Sequence, residues 1–211
     1  MLDNRSLTRR TTALVTAGAA ALVLAACGAD QGSAGHDGHS PASAPAPSPT
    51  SAPASPGAPN AADRAFTTGM IPHHRQAVEM ADLAPGRAGS AEVKDLAAQI
   101  QKAQGPEITT LTGWLEAWGE EVPGEDATHH SAHGSGGMMS AEDMEELRAA
   151  SGAAFDEAFL RMMIEHHEGA VAMAEEELAD GSHGPARRMA EDIVASQSAE
   201  IDRMRELLGR D

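Results

Sequence analysis

The sequence predicts an all-α fold, a four-helix bundle built from two repeated helix pairs. Aromatic residues make up 2% of the chain and tyrosine is absent, whereas alanine, leucine, methionine and charged residues fill its periodic stretches, as is typical of helices. The chain also repeats itself, since residues 63–81 and 156–174 share 11 of 19 residues at an offset of 93. Because one helix pair cannot bury its apolar stripe alone, we expect two pairs that pack together.

The repeat defines one folded domain, residues 60–211, with its two copies at 63–118 and 156–211. The shared pattern is D-x-A-F-x-x-x-M-I-x-H-H-x-x-A-V-x-M-A. Capping and breaking residues divide the domain into helices: Asn60, Ser90 and Ser140 as N-caps, Ala84-Pro85-Gly86 as a stop, and a turn at 181–185. The predicted helices are about 61–84, 91–118, 153–179 and 185–208, with a short one near 141–150.

Residues 1–26 are expected to be a lipoprotein signal peptide, because three arginines precede an apolar run too short to span a membrane. The run ends in Leu24-Ala25-Ala26-Cys27, which resembles the lipobox in which the cysteine is lipidated and becomes the N-terminus. We therefore expect a lipid anchor at Cys27 and a location at the extracytoplasmic face of the cell membrane. As Cys27 is the single cysteine of the sequence, disulfides, thiolate catalysis and Cys-ligated zinc are excluded from the domain.

Two stretches are expected to be disordered, the tether at 27–59 and the linker at 122–139. The tether is mostly Ala, Pro, Ser and Gly, which bury too little apolar surface to fold. The linker carries histidine and methionine, and composition alone makes these candidate low-affinity metal sites, with a plain solvated linker as the alternative. The residues are His129, His130, His133, Met138 and Met139, together with His36 and His39 of the tether.

The chain is strongly acidic, with a formal net charge of −17. This charge argues against nucleic acid or anionic lipid as a partner and favours cations. We expect a metal ion as the partner and contact with the membrane through the lipid only. The sequence leaves open a protein partner and assembly into a homo-oligomer.

A helical wheel at about 100° per residue turns polar groups of both copies toward the bundle interior. His74 lies within the apolar stripe of its helix and His73 borders it, while Arg75 and Glu79 face away. The predicted metal ligands are His73, His74, His166, His167, Met70, Met80, Met163 and Met173. Further inward residues, as partners of these or as alternative ligands, are Asp63, Asp156, Gln104, Glu107, Gln197 and Glu200.

A single buried histidine or methionine is usually an ordinary core residue. Here, however, the same polar groups recur in two diverged copies, and each buried polar group without a partner costs about 1–3 kcal/mol. Such a set needs a shared partner. A hydrogen-bond network among the side chains would serve, but a metal ion satisfies imidazole, carboxylate and thioether together.

The two segments M-I-P-H-H-R-Q-A-V-E-M-A and M-I-E-H-H-E-G-A-V-A-M-A closely resemble the repeated motif of the domain-of-unknown-function 305 (DUF305) family, over about residues 61–209. The resemblance implies an exported bacterial protein with a ferritin-like four-helix fold, in a family with a branch associated with periplasmic copper binding and resistance. It supports the same histidines and methionines as ligands. The chain departs from the ferritin di-iron pattern, which needs Glu-x-x-His on two helices where this chain has Gln-x-x-Glu.

Methionine beside histidine, without cysteine and with few inward carboxylates, suits copper better than magnesium, calcium or iron. Copper is therefore the expected ion, with zinc or iron as alternatives. We expect a lipid-anchored protein for copper capture, buffering or delivery, and not an enzyme, because there is no tyrosine, no thiol in the domain and no substrate-recognition motif. A ferritin-like oxidoreductase that depends on a metal, or a structural or interaction module with a metal-free polar core, are the alternatives.

Overall fold

The computed structural model describes residues 57–124 and 135–209, and these form an all-helical domain. Within these two ranges, five α-helices follow one another: α1 (Ala61–Arg87), α2 (Ala91–Trp118), α3 (Ala141–Ala149), α4 (Ala153–Asp180) and α5 (Gly184–Leu208). The predicted fold class and element order are confirmed. Helix α1 packs against α2 and α4 against α5, and the two pairs join through α1 and α4.

The helix starts follow local capping chemistry. The side chains of Asn60 and Ser140 each accept a hydrogen bond from the backbone amide three residues on, and the Asp63 and Asp143 carboxylates accept one from the amide of the cap residue, so both starts are complete capping boxes. Ser90 caps α2 in the same way from its side chain. These side chains satisfy amide groups that the first turn of a helix leaves without partners.

Helix α1 is one turn longer than its sequence predicts. The stop expected at Ala84-Pro85-Gly86 is wrong, since the helix continues through Pro85 to Arg87. A proline near the end of a helix removes only one backbone bond. The end is set instead by a tertiary contact, in which the Gly152 amide donates to the Arg87 carbonyl over 2.7 Å. A helix boundary fixed by a distant residue leaves no local signal.

The core lies along the α1–α4 contact, with apolar clusters on either side of the central histidines. One cluster contains Phe155, Phe159 and Met163, with Leu96 and Ile100 from α2. The other contains Phe66, Met70 and Ile71 with Leu111 and Ala170. Short α3 covers the first cluster with Met144 and Leu147, both buried. In both pairs, the long helices place the adjacent histidines between the two clusters.

The last residues of the predicted linker belong to the fold. Ser135–Gly137 form a short 3-10 turn that packs against α4, and the two methionines that follow it are buried. We call residues 136–139 the strap. Met138 is 7% and Met139 4% exposed, so they belong to the folded domain and not to a solvated linker.

Candidate metal centre

Two histidine rings from the two repeats touch where α1 crosses α4. The ring centroids of His73 and His166 are 3.8 Å apart, with the ring planes tilted by 45°. Both side chains are buried. The repeat equivalents therefore meet each other across the axis that relates the two halves, as the predicted shared interior requires.

The second histidine of each copy is held by a glutamate of the partner helix. His74 Nε2 lies 2.7 Å from Glu107 Oε2, and His167 Nε2 lies 2.7 Å from Glu200 Oε2. The imidazoles are buried, whereas the glutamate side chains are 24% and 22% exposed, so the carboxylates sit at the rim and not in the predicted interior. A carboxylate only accepts, so Nε2 carries the proton. In the neutral ring, Nδ1 is then the nitrogen with the lone pair.

The remaining ring nitrogens are almost all without hydrogen-bond partners. His73 Nε2 donates to the Gly136 carbonyl over 2.9 Å, which again leaves Nδ1 with the lone pair. Nδ1 of His73, His74 and His167 and both nitrogens of His166 are buried and unpartnered. Each such atom costs about 1–3 kcal/mol if nothing binds it. Five such ring nitrogens in one interior are therefore candidates to bind a ligand together.

The central histidines are neutral at physiological pH. Burial, with a smaller effect from the nearby His74 ring, lowers the pKa of His73 to about 3. Burial and the neighbouring His73 ring lower the pKa of His166 well below its usual value. Neutral imidazole is the form that binds metal ions. The site is thus prepared to donate lone pairs without first losing protons from these two rings.

Thioethers lie above and below the histidines along the helices. Met70, Met80 and Met163 are fully buried, and Met173 is half-buried with its Sδ close to Gly69. Met139 of the strap shares a cluster with Met80 and Met163. Three of the four predicted methionine ligands are therefore inside the bundle, Met173 lies nearer its surface, and the strap adds Met139.

Two predicted carboxylates lie far from the histidines. Asp63 accepts hydrogen bonds from the backbone of Ser182 and His183 at 3.0 and 2.7 Å. Asp156 accepts from the backbone of Gly89 and Ser90 at 3.0 and 2.8 Å. The expectation that both face the histidines does not hold. A helical wheel shows the direction of a side chain around the axis and not its position along it. Asp63 lies eleven residues before His74, which is about 16 Å along the helix axis.

On α2 and α5, the predicted glutamines are more deeply buried than the predicted glutamates. Gln104 and Gln197 are buried, 2% and 3% exposed, and their Oε1 atoms have no hydrogen-bond partner. They add two amide oxygens to the interior, as the wheel predicts. Among the described residues, no three His, Cys, Asp or Glu side chains are grouped to hold an ion. An ion bound here would need thioether ligands or a convergence of the imidazoles.

Other predicted sites fall outside the described residues, namely Cys27, His36, His39, His129, His130 and His133. Sequence reasoning also missed three residues near the site or at the bundle end: Gln76, Gly169 and Glu177. A signal for the first two was available. They occupy equivalent positions in the repeats yet differ in type, so each meets a different surrounding.

The family profile described as a domain of unknown function, DUF305, matches residues 63–208. A DUF305 protein from Streptomyces coelicolor, described as secreted, is 33% identical with a TM-score of 0.64, over 71% of this chain and 93% of its own. A DUF305 fragment from Deinococcus radiodurans is 30% identical with a TM-score of 0.65, over 72% of this chain and 98% of its own.

The Cu(II)-bound form of CopM is 34% identical with a TM-score of 0.62, over 70% of this chain and 96% of CopM. Cu(I)-bound and Ag-bound forms of CopM also match. Among curated protein sequences, none matches. The profile spans most of the chain and the solved structures share both sequence and fold, so the chain belongs to the DUF305 family.

Proposed function

We propose that this protein binds copper ions inside the helical bundle, through His73, His74, His166 and His167 together with buried thioethers. The observation that carries the proposal is the set of five buried ring nitrogens without partners, on rings from both repeats. A structural hydrogen-bond network would pair these atoms with one another, and they are not paired. A metal ion accepts lone pairs from several rings at once.

The donor set favours copper over the alternatives. Thioether beside imidazole suits Cu(I), and imidazole suits Cu(II), whereas zinc is usually bound by Cys, His or carboxylate and not by thioether. The two carboxylates nearest the histidines, Glu107 and Glu200, already accept hydrogen bonds from His74 and His167. They are placed to orient the rings, as partners of metal-bound histidines do. The likeness to copper- and silver-bound CopM supports the same choice.

We further propose that the protein captures, buffers or delivers copper at the extracytoplasmic face, held by a lipid at Cys27. The lipobox-like ending at Cys27 and the likeness to a protein described as secreted support this location. None of the helices in the described ranges is long and apolar enough to cross a membrane. Copper is the cargo, so the role is binding and not catalysis.

Metal content tests the proposal. The chain is purified without an affinity tag from cells grown with copper, zinc and iron, and its bound metals are measured by mass spectrometry. We expect copper in the unaltered protein and its loss when His73, His74, His166 and His167 are all replaced by glutamine. Zinc or iron in place of copper, or copper retained by the substituted protein, would contradict the proposal.

A further inference from the structure

The strap is fastened to α1 by one side chain. Gln76 Nε2 donates to the Met139 carbonyl over 2.9 Å, and Gln76 Oε1 accepts from the Met139 amide over 2.7 Å. Gln76 is itself buried. A side-chain amide that pairs with both backbone groups of one residue fixes the position and the direction of that backbone. Gln76 therefore anchors the C-terminal end of the strap.

The other end of the strap needs a glycine on α4. A Cβ built on Gly169 would overlap the Gly136 carbonyl oxygen and approach the Gly137 amide nitrogen to 2.8 Å. Gly137 has a φ of +79°, and a Cβ at this residue would lie 2.5 Å from the Glu165 carbonyl oxygen. Backbone packs directly on backbone here, and only glycine permits this. The repeat equivalents Gln76 and Gly169 thus hold the two ends of one strap by different means.

The strap breaks the symmetry of the central histidine pair. The Gly136 carbonyl oxygen accepts a hydrogen bond from Nε2–H of His73. Its repeat equivalent, His166, makes no hydrogen bond with the strap and lies beside the His73 backbone instead. A carbonyl oxygen cannot donate, so it selects one tautomer of the neutral ring, with the proton on Nε2 and the lone pair on Nδ1. The strap therefore defines which nitrogen of His73 carries the lone pair, and it places no such constraint on His166.

We propose that the strap is a positioning element for the metal site: Gly136, held by Gln76 and Gly169, fixes His73 as an Nδ1 donor. The inference rests on the proposed copper binding, because the donor atom matters only if an ion binds. Met138 and Met139 follow in the same strap and are buried with it. The strap therefore also adds two buried thioethers to the domain. Gln76, Gly136 and Gly169 are positioning residues and need not touch the ion.

The tautomer of His73 tests the strap without any metal. ¹⁵N NMR of the metal-free full-length protein at neutral pH distinguishes a protonated Nε2 from a protonated Nδ1. We expect His73 to carry its proton on Nε2. Gly169→Ala should displace the strap and give a mixture of tautomers at His73. Gly113→Ala, at an exposed helical glycine with nothing within 4 Å, is the matched control and should leave the tautomer unchanged.

Copper affinity gives the second readout. Gly169→Ala should weaken copper binding by about 10- to 100-fold, as loss of a group that orients a ligand does, whereas Gly113→Ala should not weaken it. Gln76→Ala should also weaken copper binding, and it replaces Gly169→Ala as the test if that variant fails to fold.

A proton on Nδ1 of His73 in the unaltered protein would overturn the inference. Full copper affinity in folded Gly169→Ala and Gln76→Ala proteins would also overturn it. The proposed function would still stand in that case if the four-histidine variant lost copper. An unaltered protein that binds no copper would overturn the proposed function itself.

Discussion

His74 donates a hydrogen bond from Nε2 to the Glu107 carboxylate over 2.7 Å, and the second repeat reproduces it between His167 and Glu200 at the same distance. Each pair spans 33 residues and joins the two helices of its own repeat. Two diverged copies have kept the geometry while most other positions of α2 and α5 differ. The carboxylate orients the imidazole and raises the basicity of the free nitrogen.

We therefore expect Glu107→Gln and Glu200→Gln each to weaken copper binding by about 10- to 100-fold, with similar losses from the two repeats. A titration with a competing chelator measures the affinities. Glu116→Gln, at an exposed glutamate of α2, is the control and should bind copper as tightly as the unaltered protein. Unchanged affinity in both repeat variants would show that the carboxylates only stabilise the fold.

A buried carboxyl pair closes the end of the bundle. Glu177 is 1% exposed and lies beside the Asp63 carboxylate, which can accept a hydrogen bond from it only when Glu177 is protonated. Burial and the nearby Asp63 carboxyl raise the pKa of Glu177 to about 8. Burial alone would raise the pKa of Asp63 too, but hydrogen bonds from the backbone of Asn60 and His183 hold it below its usual value. Glu177 is therefore the protonated member of the pair at neutral pH.

This predicts a stability that falls as pH rises. The folded-state pKa of Glu177 lies above its unfolded value of 4.5, so its contribution is full below about pH 4.5 and lost as pH rises through about 8. Glu177→Gln should equal the unaltered protein in acid and exceed its free energy of unfolding by about 1–3 kcal/mol at alkaline pH. Denaturant titrations across this range measure the difference. Glu176→Gln, at the exposed neighbour, should show no such trend, and a constant difference for Glu177→Gln would refute the assignment.

The two repeats share one core, because the His73 and His166 rings meet across the α1–α4 contact. We expect residues 60–211 to fold alone. A single repeat should unfold or dimerise, since its buried α1 or α4 face, including Met70 or Met163, would be exposed to water. Circular dichroism and analytical ultracentrifugation check this. Cooperative unfolding of a monomeric single repeat would show that the repeats are independent.

Cys27 lies outside the described residues, and its lipidation remains a prediction. Cys27→Ser should abolish lipid attachment and move the protein from the membrane fraction to the soluble fraction. Cell fractionation with metabolic labelling by a radioactive fatty acid measures both effects. Ser33→Ala, in the same tether, should change neither. Membrane association that survives Cys27→Ser would mean that something other than the lipid holds the protein.

The sequence predicts those features that depend on angle around a helix. The 93-residue repeat and the apolar periodicity place His73, His74, His166 and His167 inside the bundle, and the structure agrees. Periodicity does not reveal where along the helix axis a side chain lies, or which distant segment it contacts. Asp63 shares a stripe with His74 yet caps a loop at the far end of the bundle.

The strap is a second feature that the sequence pattern did not predict. Met139 lies in a stretch whose composition predicts disorder, and its order comes from Gln76, 63 residues earlier. Only the mismatch between Gln76 and Gly169 in otherwise similar repeats hints at a segment that packs there. Contacts between residues distant in sequence are set by the tertiary fold, so local periodicity cannot reveal them.

The copper-induced change in melting temperature tests the central claim most directly. A ligand that binds only the folded state adds about 2.7 kcal/mol at a hundredfold excess over Kd, or about 5–10 °C for a domain of this size. We expect calorimetry to show that shift in the unaltered protein and in a variant with His129, His130 and His133 replaced by glutamine. It should vanish when His73, His74, His166 and His167 are replaced by glutamine. A full shift in the four-histidine variant, or its loss in the linker variant, would contradict a copper site inside the bundle.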